Sequence, residues 1–122
     1  MYEALEQRRL LVAGAFDPSF GTAGVRNIDY TLPDHSDNAT AIQPDNKILV
    51  VGSSRVIPGP PQQGDPRSDF YVMRLNVDGS TDQTFGTEGL VATDFTGGED
   101  DANAVAIQPD GKIVVAGSAS VQ

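Results

Sequence analysis

The sequence predicts an all-β chain of antiparallel, four-stranded repeats, and a few observations carry that prediction. A strand–turn–strand stretch occurs as ATAIQPDNKILVVGS at residues 39–53 and again as AVAIQPDGKIVVAGS at residues 104–118. Outside this stretch the same offset of 65 residues relates Asp17 to Asp82, Phe20 to Phe85, Gly21 to Gly86 and Gly24 to Gly89, then Asp29 to Asp94, Tyr30 to Phe95 and Asn38 to Asn103. The remaining segments are short, β-branched and bounded by Gly, Pro, Asn and Asp, as strands are. A repeat of this length made only of short strands points to propeller blades rather than helical solenoids. The expected architecture is a partial β-propeller of about two repeats.

The elements follow in order. Residues 1–14, MYEALEQRRLLVAG, alone show helical spacing, with Leu5, Arg8 or Arg9, and Leu11 or Val12 able to share a face. They read as an N-terminal tail or an export-associated motif. The apolar core is too short for an ordinary secretory signal, and Glu3 and Glu6 precede it. Residues 15–80 form the first repeat and 81–122 the second, truncated one. Within them VRNIDY (25–30) and GLVATDF (89–95) are outer strands. NATAIQ (38–43) with KILVVGS (47–53), and NAVAIQ (103–108) with KIVVAGS (112–118), are hairpins. DFYVMRLN (69–76) is the third strand of the first unit.

The hairpin turns have clear chemistry. In Gln108–Pro109–Asp110–Gly111 the proline pre-sets φ for a type I turn, and glycine takes the left-handed position that follows. Asn46 stands at the matching place in the first hairpin, and asparagine tolerates that conformation best among residues with a Cβ. The second strands, Ile48–Val51 and Ile113–Ala116, are continuously apolar, which suits strands covered on both faces. Between the second and third strands, residues 55–68 carry Pro58, Pro60, Pro61 and Pro66, which break any ladder and mark an extended surface loop.

Composition bounds function. The chain has 122 residues, one small domain's worth, with no cysteine and no tryptophan. Disulfides and thiolate metal sites are excluded. Its 17 acidic and 8 basic residues give a charge of −9, which argues against nucleic acid and anionic membranes as partners and suits solubility or cation binding. No apolar run is long enough for a membrane span.

Several stretches resemble the delta-60 repeat family of bacterial proteins: Phe85–Gly86, Asp94–Phe95, Ala104 to Gly117, Asp69–Phe70, Arg74–Leu75–Asn76 and Asp78–Gly79–Ser80. The resemblance covers residues 16–122. It implies a β-propeller without an assigned general activity. The longer 55–68 loop and the presence of only about two repeats depart from the family pattern. Leu5-Glu6-Gln7-Arg8-Arg9-Leu10-Leu11 also resembles the Leu-Glu-Pro-Arg-x-Leu-Leu motif of some bacterial surface proteins, with Gln7 at the proline position. That resemblance implies an extracellular or cell-surface fate.

The acidic stretch TGGEDDAN (96–103) is the strongest candidate site. Glu99, Asp100 and Asp101 follow two glycines, with Asp94 nearby, and oxygen ligands on a loop suit calcium. Asp29, Asp34 and Asp37 occupy comparable places in the first repeat. Asn76, Asp78, Ser80 and Asp82 alternate like a calcium loop, but the glycine comes too early and no closing glutamate follows, so a turn is expected. His35 is the sole histidine and aligns with Asp100 in a variable segment, which reads as a surface position. Ser19 and Ser53 lack a nucleophile elbow, and GTAG and GTEG are too short for a phosphate loop.

The expected function is a non-catalytic structural or interaction module of an exported or cell-surface protein. Its partner would be a protein or surface ligand, and it would need further blades or self-association. The alternatives are a calcium-binding propeller segment and part of a larger propeller enzyme.

Overall fold

The structure, a computed structural model, describes residues 14–28, 35–55, 67–95 and 97–121. The N-terminal heptad motif, Asp29, Tyr30, Asp34 and most of the proline-rich loop lie outside the described residues.

The described residues form strands and turns with no helix. In chain order the strands are β1 (His35–Ile42), β2 (Ile48–Ser54), β3 (Asp69–Leu75), β4 (Leu90–Thr93), β5 (Asp100–Ile107) and β6 (Ile113–Ala119). β1 to β4 make one antiparallel meander in sequence order, and β5 pairs with β6 in a second sheet. This is one four-stranded blade followed by the first hairpin of the next, the all-β partial propeller that the repeat predicts. Among the described residues no helix is long and apolar enough to cross a membrane.

One turn design recurs. At 43–47, 76–80 and 108–112 the first residue's N–H reaches the last residue's carbonyl, at 2.8, 2.7 and 2.8 Å. The fourth residue is left-handed in each: Asn46 at φ 66°, Gly79 at φ 85° and Gly111 at φ 84°. The aspartate before it accepts from the next N–H in Lys47, Ser80 and Lys112. The 65-residue offset also holds in the loops before the outer strands. Gly21 and Gly86 share φ 55°, and Ala23 and Glu88 take φ 53° and 54°.

The hairpins are bulged at matching places, between Asp37 and Ala39 and between Ala102 and Ala104. There a carbonyl of the first strand lies so close to a glycine of the second that a Cβ would overlap it: Ser36 O at Gly52 and Asp101 O at Gly117. Each first strand begins earlier than the sequence suggests, at His35 rather than Asn38 and at Asp100 rather than Asn103. The pairing resumes beyond the bulge, which pattern reading takes for a strand end.

Two apolar layers hold the blade. On one face Val50, Tyr71, Met73 and Leu75 are buried with Ile48 and Leu90, covered by Phe20 and Ile28 of the N-terminal segment. On the other, Val51 and Phe70 with Ala39 and Val72 meet Ala102, Val105 and Val115 of the second sheet. Alternation along β2 sends Val50 to one layer and Val51 to the other. Asn38 Nδ2 donates to the Ala102 carbonyl across the junction at 2.8 Å.

Two expectations need correction. Both second strands read as covered on both faces, yet only β2 is. Leu49, Val50 and Val51 are 0–4% exposed, whereas Val114 is 44% exposed. β2 lies between β1 and β3, while β6 pairs with β5 alone among the described residues. The outer strand expected at 25–30 is not formed at 25–28. Val25 instead exchanges hydrogen bonds with Thr22 in the tight loop, and Ile28 turns into the core.

A polar clasp ties the turn end together. Lys47 Nζ and Arg74 Nε both reach Asp82 Oδ2 at 2.8 Å, and Thr84 donates its N–H and hydroxyl to Oδ1. The Arg74 guanidinium also lies over the Phe85 ring, 4.5 Å from its centroid. The Lys47 bond, then Thr84 and Arg74, hold the Asp82 carboxyl well below its ordinary value of 3.8.

Glycine substitutions separate steric from conformational demands. Gly52→Ala should destabilise by about 3 kcal/mol, because the bulge carbonyl must move. Gly111→Ala should cost only about 1–2 kcal/mol, because the site is open and only the left-handed φ is strained. Gly111→Val should cost more than Gly111→Ala, and Asn46→Gly should be close to neutral. Urea melts of these variants check the order.

The depressed Asp82 carboxyl contributes stability at pH above its ordinary value and loses it as the pH falls below that value. Asp82→Asn should therefore lower the urea midpoint at pH 7. The gap from wild type should close in acid, as parallel titrations at neutral and acidic pH would show.

Candidate functional site

Strand ends assemble the acidic cluster. Asp69 opens β3, Asp94 follows β4 and Asp100 opens β5. Pairing of Phe70 with Thr93 sets Asp69 beside Asp94. A parallel bridge between Ser68 and Glu99 brings β5 alongside, with the Asp100 N–H donating to the Ser68 carbonyl at 2.8 Å. One carboxylate oxygen from each of Asp69, Asp94 and Asp100 lies within 4.8 Å of the others.

Their surroundings differ. Asp100 is fully buried, and its Oδ2 accepts the Phe95 N–H at 2.8 Å. Asp94 is exposed and takes the Gly97 N–H at 2.6 Å. Asp69 is half-buried. Burial first, then repulsion from Asp94 and Asp100, pushes its carboxyl up, with Arg67 opposing. Such a set of hard oxygens presents part of a calcium shell, which takes six to eight oxygens.

Of the sequence candidates, the structure brings Asp94 and Asp100 together and leaves Glu99 and Asp101 out of that cluster. Successive strand residues point to opposite faces, so the neighbours of Asp100 turn away from it. Glu99 and Asp101 line a polar cleft of about 360 Å³ with His35, Ser36, Ser53, Arg55 and Ser68. Asp69 was not legible as a member. Its signal was its place at the start of the third strand, across from the strand that ends at Asp94.

The other candidates take structural places. Asp37 accepts the Tyr71 hydroxyl. Asp78 is held below its ordinary value by the Ser80 hydroxyl and N–H, and Asp82 is held in its clasp, so residues 76–82 form the expected turn. Ser19 bonds to Asp17 as Thr84 does to Asp82. In the polar cleft the Ser36 and Ser53 hydroxyls bond each other at 2.8 Å, and the Ser68 hydroxyl donates to the Asp100 carbonyl. His35 opens β1 opposite Ser54.

Because the raised carboxyl of Asp69 favours its protonated form in the folded state, its contribution is best in acid and is lost as the pH rises through its folded value. Asp69→Asn should therefore raise the melting temperature at pH 7 by about 1–2 °C and give no gain in acid. Thermal melts at both pH values check this.

A family model described as a domain of unknown function (DUF5122) β-propeller matches residues 43–85 and 108–122. These segments contain all three recurrent turns, β2, β3, the Asp82 clasp and β6. No curated protein and no solved structure matches the chain. Over the matched residues the chain is similar to a β-propeller family, in agreement with the blade and the half-blade of the fold.

Proposed function

We propose that this chain is a non-catalytic, delta-60-like propeller segment of an exported or cell-surface protein, working as a structural or interaction module. The observation that carries this reading is the contrast between two near-identical strands. β2 has strands on both edges and the second sheet over its Val51 face, and β6 exposes the same kind of side chains. The face of the first blade around Val51 and Val72 receives the second sheet. Val114 and Ala116, the counterparts of Leu49 and Val51, form an exposed face of the same make on the second sheet. A further blade, or a second copy, would cover it. The serine hydroxyls of the polar cleft are engaged with each other or with backbone, which supports a non-catalytic role. The Leu5–Leu11 motif supports the surface location.

Sedimentation tests the module. The weight-average mass should rise with concentration in the micromolar range, and Val114→Lys should reduce that rise without loss of secondary structure. A monodisperse monomer that melts sharply over this range would overturn the reading.

The clustered oxygens of Asp69, Asp94 and Asp100 favour a second reading, a calcium-stabilised segment. Millimolar calcium should then raise the melting temperature of the wild type and leave Asp94→Asn nearly unmoved. A wild-type melting temperature that ignores calcium removes this reading, since a ligand that binds only the folded state must stabilise it.

A further inference from the structure

We propose that the buried hydroxyl of Ser54 is a fourth oxygen of the cation site at Asp69, Asp94 and Asp100, so that a calcium-sized divalent ion would be held from both sheets at once. This rests on the calcium reading and adds to it a ligand of a different kind, from a strand that the carboxylates do not use.

An orphaned polar atom carries the proposal. Among the described residues, two buried side-chain oxygens lack a hydrogen-bond partner, Gln43 Oε1 and Ser54 Oγ. Gln43 belongs to the first hairpin turn, at the other end of β2 from Ser54. Ser54 closes β2 and is 3% exposed, so bulk water does not reach the missing bond. A buried hydroxyl without a partner gives up its hydration and gains nothing in exchange. The repeat does not demand the hydroxyl either. The matching position, 65 residues on at the end of β6, is Ala119.

Strand register puts this hydroxyl beside the carboxylates. Ser54 stands directly opposite Asp69 in the antiparallel pairing of β2 with β3. Residues opposed in this way project from the same face, with Cβ atoms about 5 Å apart. The pairing of Phe70 with Thr93 sets Asp94 on the other side of Asp69. Ser54, Asp69 and Asp94 therefore form a row across β2, β3 and the end of β4. Asp100 joins the row from the second sheet, with one oxygen of each carboxylate within 4.8 Å of the others. An ion there would meet a neutral hydroxyl with no competing bond and carboxylates that can each bind through one oxygen or two. The hydroxyl would coordinate through a lone pair and keep its proton. Calcium takes about six to eight oxygens in irregular geometry, and such a mixed set suits it better than magnesium, which gives up its waters reluctantly. The ion would tie the end of the first hairpin to the start of the second.

The probe is calcium alone, titrated into the intact chain by calorimetry and followed in parallel by thermal melts. Ser54→Ala should bind calcium about tenfold more weakly than the wild type. Without calcium the sign reverses. Ser54→Ala should then melt about 1–2 °C above the wild type, because it removes an orphaned hydroxyl from the interior. A hydroxyl with a merely structural role would lower the melting temperature on removal, with or without calcium. A lower melting temperature of Ser54→Ala in the absence of calcium would therefore overturn the proposal. Equal calcium affinity in Ser54→Ala and wild type would also overturn it, and would leave the calcium reading standing. No binding by the wild type at millimolar calcium would remove both.

Discussion

The close approach of a bulged strand to a glycine sets the geometry on which the rest of the structure depends. At Gly52 and Gly117 the opposing carbonyl occupies the space of a side chain. A bulge strengthens the local twist of a strand pair. The bulge between Asp37 and Ala39 also re-aims Asn38, whose amide bonds to Ala102 of the second sheet. The apolar layer of Val51, Phe70 and Ala102 lies beside that bond. One local backbone irregularity thus accompanies the stacking of sheet on sheet, and the dispersion and burial of the interface follow from that stacking.

Much of the fold was legible because the code for it is local. Aspartate at position three and asparagine or glycine at position four, preceded by proline in two turns and by Val77 in the third, specify the turn without reference to anything distant, and all three formed. The meander order also follows, since short connections favour adjacent antiparallel strands. Burial was not legible, because Ile48–Val51 and Ile113–Ala116 read alike and differ only in what lies next to them. The segment at 25–28 misled for a related reason. Its β-branched residues suit a strand, but its hydrogen bonds are taken by a tight loop of its own.

The candidate site was half legible. Clustering along the chain identified Asp94 and Asp100 but could not anticipate that Glu99 and Asp101 turn away, since that depends on where β5 begins. Asp69 lies far from the others in sequence and reaches them through the pairing of β3 with β4 and the bridge at Ser68. Distances along the chain find turn ligands well and cross-strand ligands poorly. The carboxylates of Asp78 and Asp82 show the same division, since each is engaged by partners that its local motif names or that the β3 register supplies.

The Asp82 clasp has a genetic corollary. Lys47 and its aspartate stand 35 residues apart and on opposite sides of the boundary between sequence repeats. Unequal crossing-over that adds whole 65-residue units leaves that spacing unchanged wherever the break falls, so Lys47 still precedes an aspartate of the Asp82 kind by the same interval. A gain or loss of any other length that falls between residues 47 and 82 changes the interval. The clasp is therefore compatible with integral duplications, whereas a fractional one that breaks within residues 47–82 would part its lysine from its aspartate.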